Sequence, residues 1–320
     1  MTDNTFRLIS TDVEKDIRLD CYLATDDRIK SRAQAQRAIK DRQVTVNDNY
    51  VKSSYQIQSG DIIEVRLSDP VTIDVIPEPI SLEILYEDAD VIVINKPAGM
   101  VVHPGAGNSN GTLVNALLYH CKNLSGIGGK IRPGIVHRLD KGTTGVMVAA
   151  KNDLAHIHLS RQFEKHSIQR EYRALVYGNM EVLSGTVNQP IGRHTLDRKK
   201  MSTKSRQGRN AITHWKVLER FKQLTLLKAW LETGRTHQVR VHLASLDHPI
   251  VNDLNYGTVK RLRMITDKKI LDAVKGLDRP LLHAGFLEFV HPSSEQVMTF
   301  KAPLPADFNG ILDILRKTND

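Results

Sequence analysis

Residues 137–151 read HRLDKGTTGVMVAAK. The second half, GVMVAAK (145–151), is a nearly unbroken apolar run. It is far too short to span a bilayer and has no polar face, so it reads as a strand covered on both sides. The first half sets an imidazole, a guanidinium and a carboxylate (His137, Arg138, Asp140) within four residues, ahead of a Gly/Thr turn. Charged groups at the mouth of a buried strand fit a surface turn, a phosphate site, a metal site or a nucleophile, and the rest of the chain decides among them.

The surrounding sequence extends that pattern. DVIVINK (90–96) is a second apolar strand, and REYRALVYG (170–178) and LTLLKAWLETG (224–234) are two more. Between them lie helices at TLVNALLYH (112–120) and NDLAHIHLSRQFEKH (152–166). The second is capped by Asn152 or Asp153, with Leu154, Ile157 and Phe163 expected to pack inward. THQVRVHLASL (236–246) is a short helix entered from Thr233-Gly234-Arg235. The fold class expected is α+β around a mixed, largely antiparallel sheet.

Ahead of this comes a smaller rhythm. A helix at SRAQAQRAIKDR (31–42), with Ser31 as its cap, precedes short strands at VTVND (44–48) and GDIIEVRL (60–67). LSDPVTIDVIPEPISL (67–82) carries Pro70, Pro77 and Pro79, which suit neither a helix interior nor a ladder. Three segments follow: a small α/β module at 16–66, an extended linker at 67–82 and a large domain at 83–320. A chain of 320 residues accommodates this at roughly 100–200 residues per domain.

Charge points to an anionic partner. Lys and Arg number 45 against 36 Asp and Glu, a net +9. Residues 28–42 hold Arg28, Lys30, Arg32, Arg37, Lys40 and Arg42 against Asp41 alone, and this near-absence of acids favours a phosphate-contacting helix. Residues 193–210 repeat the bias, with Arg193, Arg198, Lys199, Lys200, Lys204, Arg206 and Arg209 against Asp197. That stretch has no apolar period and is expected to be a mobile basic loop.

Other chemistries lack their residues. Cys21 and Cys121 form no Cys-x-x-Cys, so no zinc site or disulfide framework is expected. GAGNSNGT (105–112) has no Walker lysine and misses the dinucleotide spacing by one residue. Asp140-Lys-Gly-Thr-Thr departs from the phosphorylated-aspartate order of ion pumps. Among 13 histidines no His-Glu-x-x-His occurs. No metal and no cofactor are expected. The polar N-terminus and the lack of an 18-residue apolar run point to a cytoplasmic protein.

Two resemblances sharpen this. Arg18-Leu19-Asp20, Leu23-Ala24, Ser31-Arg32, Gln36, Ile39, Val44-x-Val46-Asn47 and Gly60-Asp61 resemble the small RNA-binding module first known from a small-subunit ribosomal protein. NKPAGMVVHPG (95–105), HRLDKGTTG, EYRALVYG, LETGRTHQVRVH (231–242) and LLHA (281–284) occur in the order and spacing of the RluA family of pseudouridine synthases. VVHPGAGN and GTTG resemble its D-type branch, which modifies large-subunit ribosomal RNA. HPIVNDLNYG (248–257) departs from the family pattern at Asn252 and Leu254, in a segment expected to lie off the chemistry, and Gly142 stands where an acid is common.

The resemblance implies a cofactor-free isomerisation of uridine to pseudouridine. Asp140 is the expected nucleophile or base, and Arg235 its salt-bridge partner. Tyr172 is the aromatic platform for the flipped uracil. Arg138 is expected to contact RNA, Leu282 to wall the pocket and His137 to support it from behind. Arg32 and Arg37 in the module, with Lys199 and Lys200 in the basic stretch, are the expected RNA-backbone contacts. The partner implied is large-subunit ribosomal RNA or a pre-ribosomal particle, bound by a monomer. Two alternatives compete: a ribosome-assembly factor of the same fold that binds RNA without catalysis, and a phosphotransferase using Asp140. The second needs a nucleotide loop that the chain lacks. The joint presence of Asp140, Tyr172 and Arg235 favours the isomerase.

Overall fold

A computed structural model of the chain describes residues 5–26, 28–29, 32–66, 75–105, 107–121, 124, 133–197, 199–257 and 259–319. The chain divides into two compact units, residues 1–73 and 74–320. Among the described residues no helix is long and apolar enough to cross a membrane.

In the first unit, strand β1 (Thr5–Ile9) precedes helices α1 (Leu19–Leu23) and α2 (Arg32–Lys40), then strands β2 (Val44–Val46) and β3 (Ile62–Arg66). The three strands form an antiparallel sheet in the order β1-β3-β2. Leu19, Leu23, Ala35, Ala38 and Ile39 from the helices bury against Val44, Val46, Ile63 and Val65. The sheet begins earlier than position 16, because Phe6 and Leu8 on β1 alternate onto this core. Ser31, the expected cap of α2, lies outside the described residues, as does the side chain of Arg37. Residues 67–74 of the expected linker also lie outside them. Residues 75–82 form no regular element, but they are not a free tether. Ile80 and Leu82 pack on the large core, the Asn115 amide donates to Ile76 O, and Glu78 accepts from Gly111 N–H.

The second unit is built on β4 (Glu83–Glu87), β5 (Val91–Lys96), β6 (Thr144–Ala150), β7 (Gln169–Tyr177), β8 (Ser184–Asn188), β11 (Ile212–Arg220), β12 (Leu224–Leu231), β13 (Leu282–Val290) and β14 (Val297–Lys301). These make one nine-stranded sheet in the order β4-β5-β6-β13-β7-β12-β11-β8, with β14 also on β13. All pairs are antiparallel except β6 with β13. Between β8 and β11, β9 (Gly192–Arg193) and β10 (Met201–Ser202) form a separate hairpin.

The alternation along each strand explains the unbroken apolar runs. On β5, β6, β7 and β12, Ile92, Ile94, Met147, Ala149, Ala174, Val176 and Leu227 face α3 (Leu113–His120) and α5 (Gln238–Ser245). Their neighbours face the other way. Val91, Val93, Val146 and Val148 meet α4 (Asp153–Glu164), while Leu175, Tyr177 and Leu226 meet α7 (Lys268–Lys275) and α8 (Ala306–Asn319). Both faces are dry, so both parities must be apolar.

Helix α4 corrects one expectation. Asn152 does cap it, accepting from Ala155 N–H. Its sheet-facing stripe, however, is Ala155, Leu159 and Gln162, while Leu154 is 80% exposed and Ile157 is 38% exposed. Gln162 can occupy the buried stripe because its amide exchanges two hydrogen bonds with the Val290 backbone.

Candidate active site

Asp140 stands at the turn that feeds β6. Thr143 N–H closes the turn on Asp140 O at 3.0 Å, and β6 meets β13 in register at Thr144–His283 and Gly145–Ala284. Gly145 has φ +119°, and a Cβ there would collide with the Ala284 carbonyl. The Gly/Thr turn is therefore a close-approach device that lets the two strands pair beneath the carboxylate.

A second clamp lies under the turn. Lys96 is fully buried at the end of β5, and its Nζ donates to Pro97 O (2.7 Å), Met100 O (2.9 Å) and Lys141 O (3.4 Å). Burial pushes its ammonium down to about 7, with the Asp140 charge opposing.

Asp140 opens on a cavity of about 570 Å³. Tyr172 (from β7), Leu282 (from β13), His137, Arg138 and Arg235 all line it, with Phe163 and Arg170 at one side. Tyr172 is 7% exposed, and burial keeps its hydroxyl pKa above the ordinary value. His137 stacks on Phe163 and accepts the Val148 N–H through Nε2 at 3.1 Å. Burial holds its pKa down to about 3, so it is a neutral wall.

The cation beside Asp140 is Arg240 and not the expected Arg235. Arg240 Nη1 lies 2.9 Å from Asp140 Oδ2. Arg235 instead donates its Nε to Asn210 O at 3.0 Å, at the cavity rim beside Arg209. The reason is the turn between them. His237 takes a left-handed φ of +59°, α5 starts at Gln238, and Arg240 falls on the helix face toward Asp140. Gln238, itself buried, fixes this turn. Its Oε1 accepts from Thr233 Oγ1 and Arg235 N–H, and its Nε2 donates to Ile212 O and Thr213 Oγ1.

The segment expected to lie off the chemistry holds that cation in place. Asp253 accepts Arg240 Nε at 2.6 Å and Nη2 at 2.8 Å, while its Oδ1 also accepts Asn255 and Tyr256 N–H. Burial opposes the Arg240 charge, but Asp253 and Asp140 outweigh it and its pKa is raised. The Tyr256 ring lies 5.1 Å from the guanidinium, and its hydroxyl is 2.7 Å from His237 Nδ1. His237 Nε2 is in turn 3.8 Å from Asp140 Oδ1. Lys96, Gln238, Asp253 and Tyr256 all lie inside segments compared with the family pattern, but nothing in their residue types or spacing singled them out. The three-residue step from His237 to Arg240 was the one local signal that both could share a helix face.

The remaining expected contacts are spread out. Lys199 is exposed and donates its N–H to Asp197 Oδ1, and Lys200 lies 3.8 Å from Asp197, while Arg198 lies outside the described residues. Arg32 belongs to the first unit, where it shares the fully buried Asp20 carboxylate with Arg18. Elsewhere, Asp88, Asp90 and His291 lie close enough to suggest a metal. Asp88 is already occupied by two backbone N–H groups, Tyr86 and His291.

The chain as a whole has relatives among known proteins. Residues 90–245 match the family model for RNA pseudouridylate synthase, and residues 17–63 match the S4 domain. The "uncharacterized RNA pseudouridine synthase YlyB" of Bacillus subtilis (strain 168) is 45% identical over 98% of this chain and 99% of its own. The chain belongs to the RNA pseudouridine synthase family. "Ribosomal large subunit pseudouridine synthase D" of Vibrio vulnificus is 42% identical to this synthase, covering 94% of it and 91% of the relative. Its namesake in Zymomonas mobilis is 45% identical over 83% of each chain. Among solved structures, human RNA pseudouridylate synthase domain containing 4 matches the synthase with a TM-score of 0.56 at 28% identity, over 73% of this chain and 93% of that one.

Proposed function

We propose that this synthase isomerises specific uridines of large-subunit ribosomal RNA, with Asp140 as the acting carboxylate. The observation that carries the reading is the pairing of Asp140 with Arg240 at the wall of a cavity lined by Tyr172 and Leu282. Arg240 sets a guanidinium against this carboxylate in a site largely shielded from water.

The target uridine must leave its stack to enter the cavity. Asp140 then acts on the ribose, by attack at C1′ or by removal of the C2′ proton, and both routes use the ionised form. The C1′–N1 bond breaks with its electron pair on uracil N1. The ring turns and C5 bonds to C1′, displacing Asp140 from C1′ on the first route or with Asp140 returning the proton to C2′ on the second, and the C5 proton is carried to N1 through the Tyr172 hydroxyl or solvent. Tyr172 is the platform for the ring, and its protonated hydroxyl can pass a proton but does not stand as a base. Arg138 and Arg235, at the cavity rim, suit phosphates flanking the extruded base. The basic hairpin with Lys199 and Lys200, and the S4 module with Arg32 and Arg37, supply further backbone contacts. The proposed acting unit is a monomer. The proposed setting is the cytoplasm, where the RNA or a pre-ribosomal particle is met.

The decisive experiment compares wild type and Asp140→Asn on unmodified large-subunit RNA, with pseudouridine mapping and RNA binding measured together. Wild type is expected to modify discrete uridines. The variant should bind with similar affinity and leave none modified. Equal modification by both would remove Asp140 from the chemistry.

A further inference from the structure

The β9–β10 hairpin is wired to the carboxylate through a path that the motifs do not describe. Met201, the first residue of β10, pairs across the hairpin with Arg193 and donates its N–H to the Tyr256 hydroxyl at 2.8 Å. That hydroxyl is 2.7 Å from His237 Nδ1, and His237 Nε2 is 3.8 Å from Asp140 Oδ1. We infer that His237 is a positioning residue for Asp140, and that the Tyr256 hydroxyl ties it to the hairpin so that RNA seated on the hairpin sets the carboxylate. This rests on the reading of Asp140 as the acting group.

The hydrogen-bond inventory gives the direction. A phenol oxygen that accepts the Met201 N–H still has its own proton to give. Donating it to Nδ1 leaves the imidazole proton on Nε2, facing the carboxylate. The opposite tautomer would aim an Nε2 lone pair at a negative oxygen. Arg240 already holds Asp140 Oδ2, so His237 addresses the other oxygen from the same end of α5. At 3.8 Å the second contact is not yet a hydrogen bond, and a shift on the order of 1 Å completes it.

Three features make the path stiff enough to transmit such a shift. Tyr256 is wedged with Met201 against Ile191, Ala211 and Val241. Its ring meets His237 edge-on at 80° and lies 5.1 Å from Arg240. His237 is held at φ +59°, a conformation that non-glycine residues adopt at a cost and keep where the surroundings impose it. The hairpin itself presents Arg193, Lys199, Lys200, Lys204 and Arg206 to an anionic strand.

The test uses the full chain under single-turnover conditions. Tyr256→Phe keeps the ring and removes the hydroxyl. His237→Asn removes the imidazole while tolerating the left-handed backbone. Each is expected to lower the rate at saturating RNA by about tenfold, as a misplaced reacting group does, with RNA affinity unchanged within about twofold. The double variant should be no slower than the slower single, because both break one path. His237→Gln, which can offer an amide N–H to Asp140, should recover part of the rate. Multiplying effects in the double variant, a wild-type rate for Tyr256→Phe, or a loss confined to affinity would each overturn the inference. Activity in Asp140→Asn would instead overturn the assignment of Asp140, whatever these variants do.

Discussion

At the scale of single residues, the two arginines of LETGRTHQVRVH differ in what they touch. Arg240 bridges Asp140 and the fully buried Asp253 with three nitrogens, whereas Arg235 meets a backbone carbonyl at the cavity rim. Arg240→Lys keeps a charge but has no fork to span both carboxylates. It should lower the single-turnover rate by about a hundredfold or more and destabilise the fold by roughly 3 kcal/mol, because one buried carboxylate loses its partner. Arg235→Ala should mainly weaken RNA binding, by about 1 kcal/mol, and leave the melting temperature near wild type. The reverse ranking, measured by quench-flow, filter binding and calorimetry, would restore Arg235 to the centre. Residue types and motif order made Asp140, Tyr172 and Leu282 legible as candidates, and all three line one cavity. Which arginine reaches Asp140 was not legible. It depends on a left-handed turn at His237, and although histidine is among the residues that tolerate positive φ, most histidines do not adopt it.

At the scale of elements, the two-sided apolar runs were the strongest signal, and each of them is a strand of the central sheet. The helix at 153–164 was legible as a helix but not in its rotation. Three apolar side chains do not fix a phase when a glutamine can be satisfied on the buried stripe by the edge of β13. The Gly/Thr turn before β6 makes a sharper prediction. Gly145→Ala places a methyl against the Ala284 carbonyl and forces an alanine to φ +119°. It should cost several kcal/mol, on the order of 3 or more, by prising β6 from β13. Chemical denaturation should register this as a lower midpoint, and activity should fall with it because Asp140 sits four residues before the parallel register at Thr144. An unchanged midpoint would mean that the strands can separate at no cost.

At the scale of the whole molecule, the S4 unit and the synthase unit have separate cores, and residues 75–82 pack with the second. A cut after residue 73 should therefore leave the synthase core folded, whereas a cut after residue 80 would strip Ile80 from it. Removing residues 1–73 should weaken RNA binding by about tenfold or more and make it less salt-dependent, as fewer phosphates are neutralised. The rate at saturating RNA should stay within about threefold. Equal affinity and equal salt slope would show that the module does not hold the substrate.

The sequence by itself determined α2, β2 and β3 of the module, strands β5, β6, β7 and β12 with helices α3, α4 and α5 of the larger unit, the two-unit order and the short list of reactive side chains, whereas β1, β4, β8, β11, β13 and β14 were not legible. Those follow from local periodicity, turn chemistry and motif order, which are properties of neighbouring residues. The tertiary structure alone decided that Arg240 and not Arg235 pairs with Asp140, that Asp253 and Tyr256 support it, and that Lys96 clamps the turn from below. Arg240 and Asp140 lie 100 positions apart, and Lys96 and Lys141 lie 45 apart. The geometry is set by how the strands and α5 pack together, and even where the partners are 13 to 19 positions apart, as with Asp253 and Tyr256, no periodicity or turn signal says that they meet.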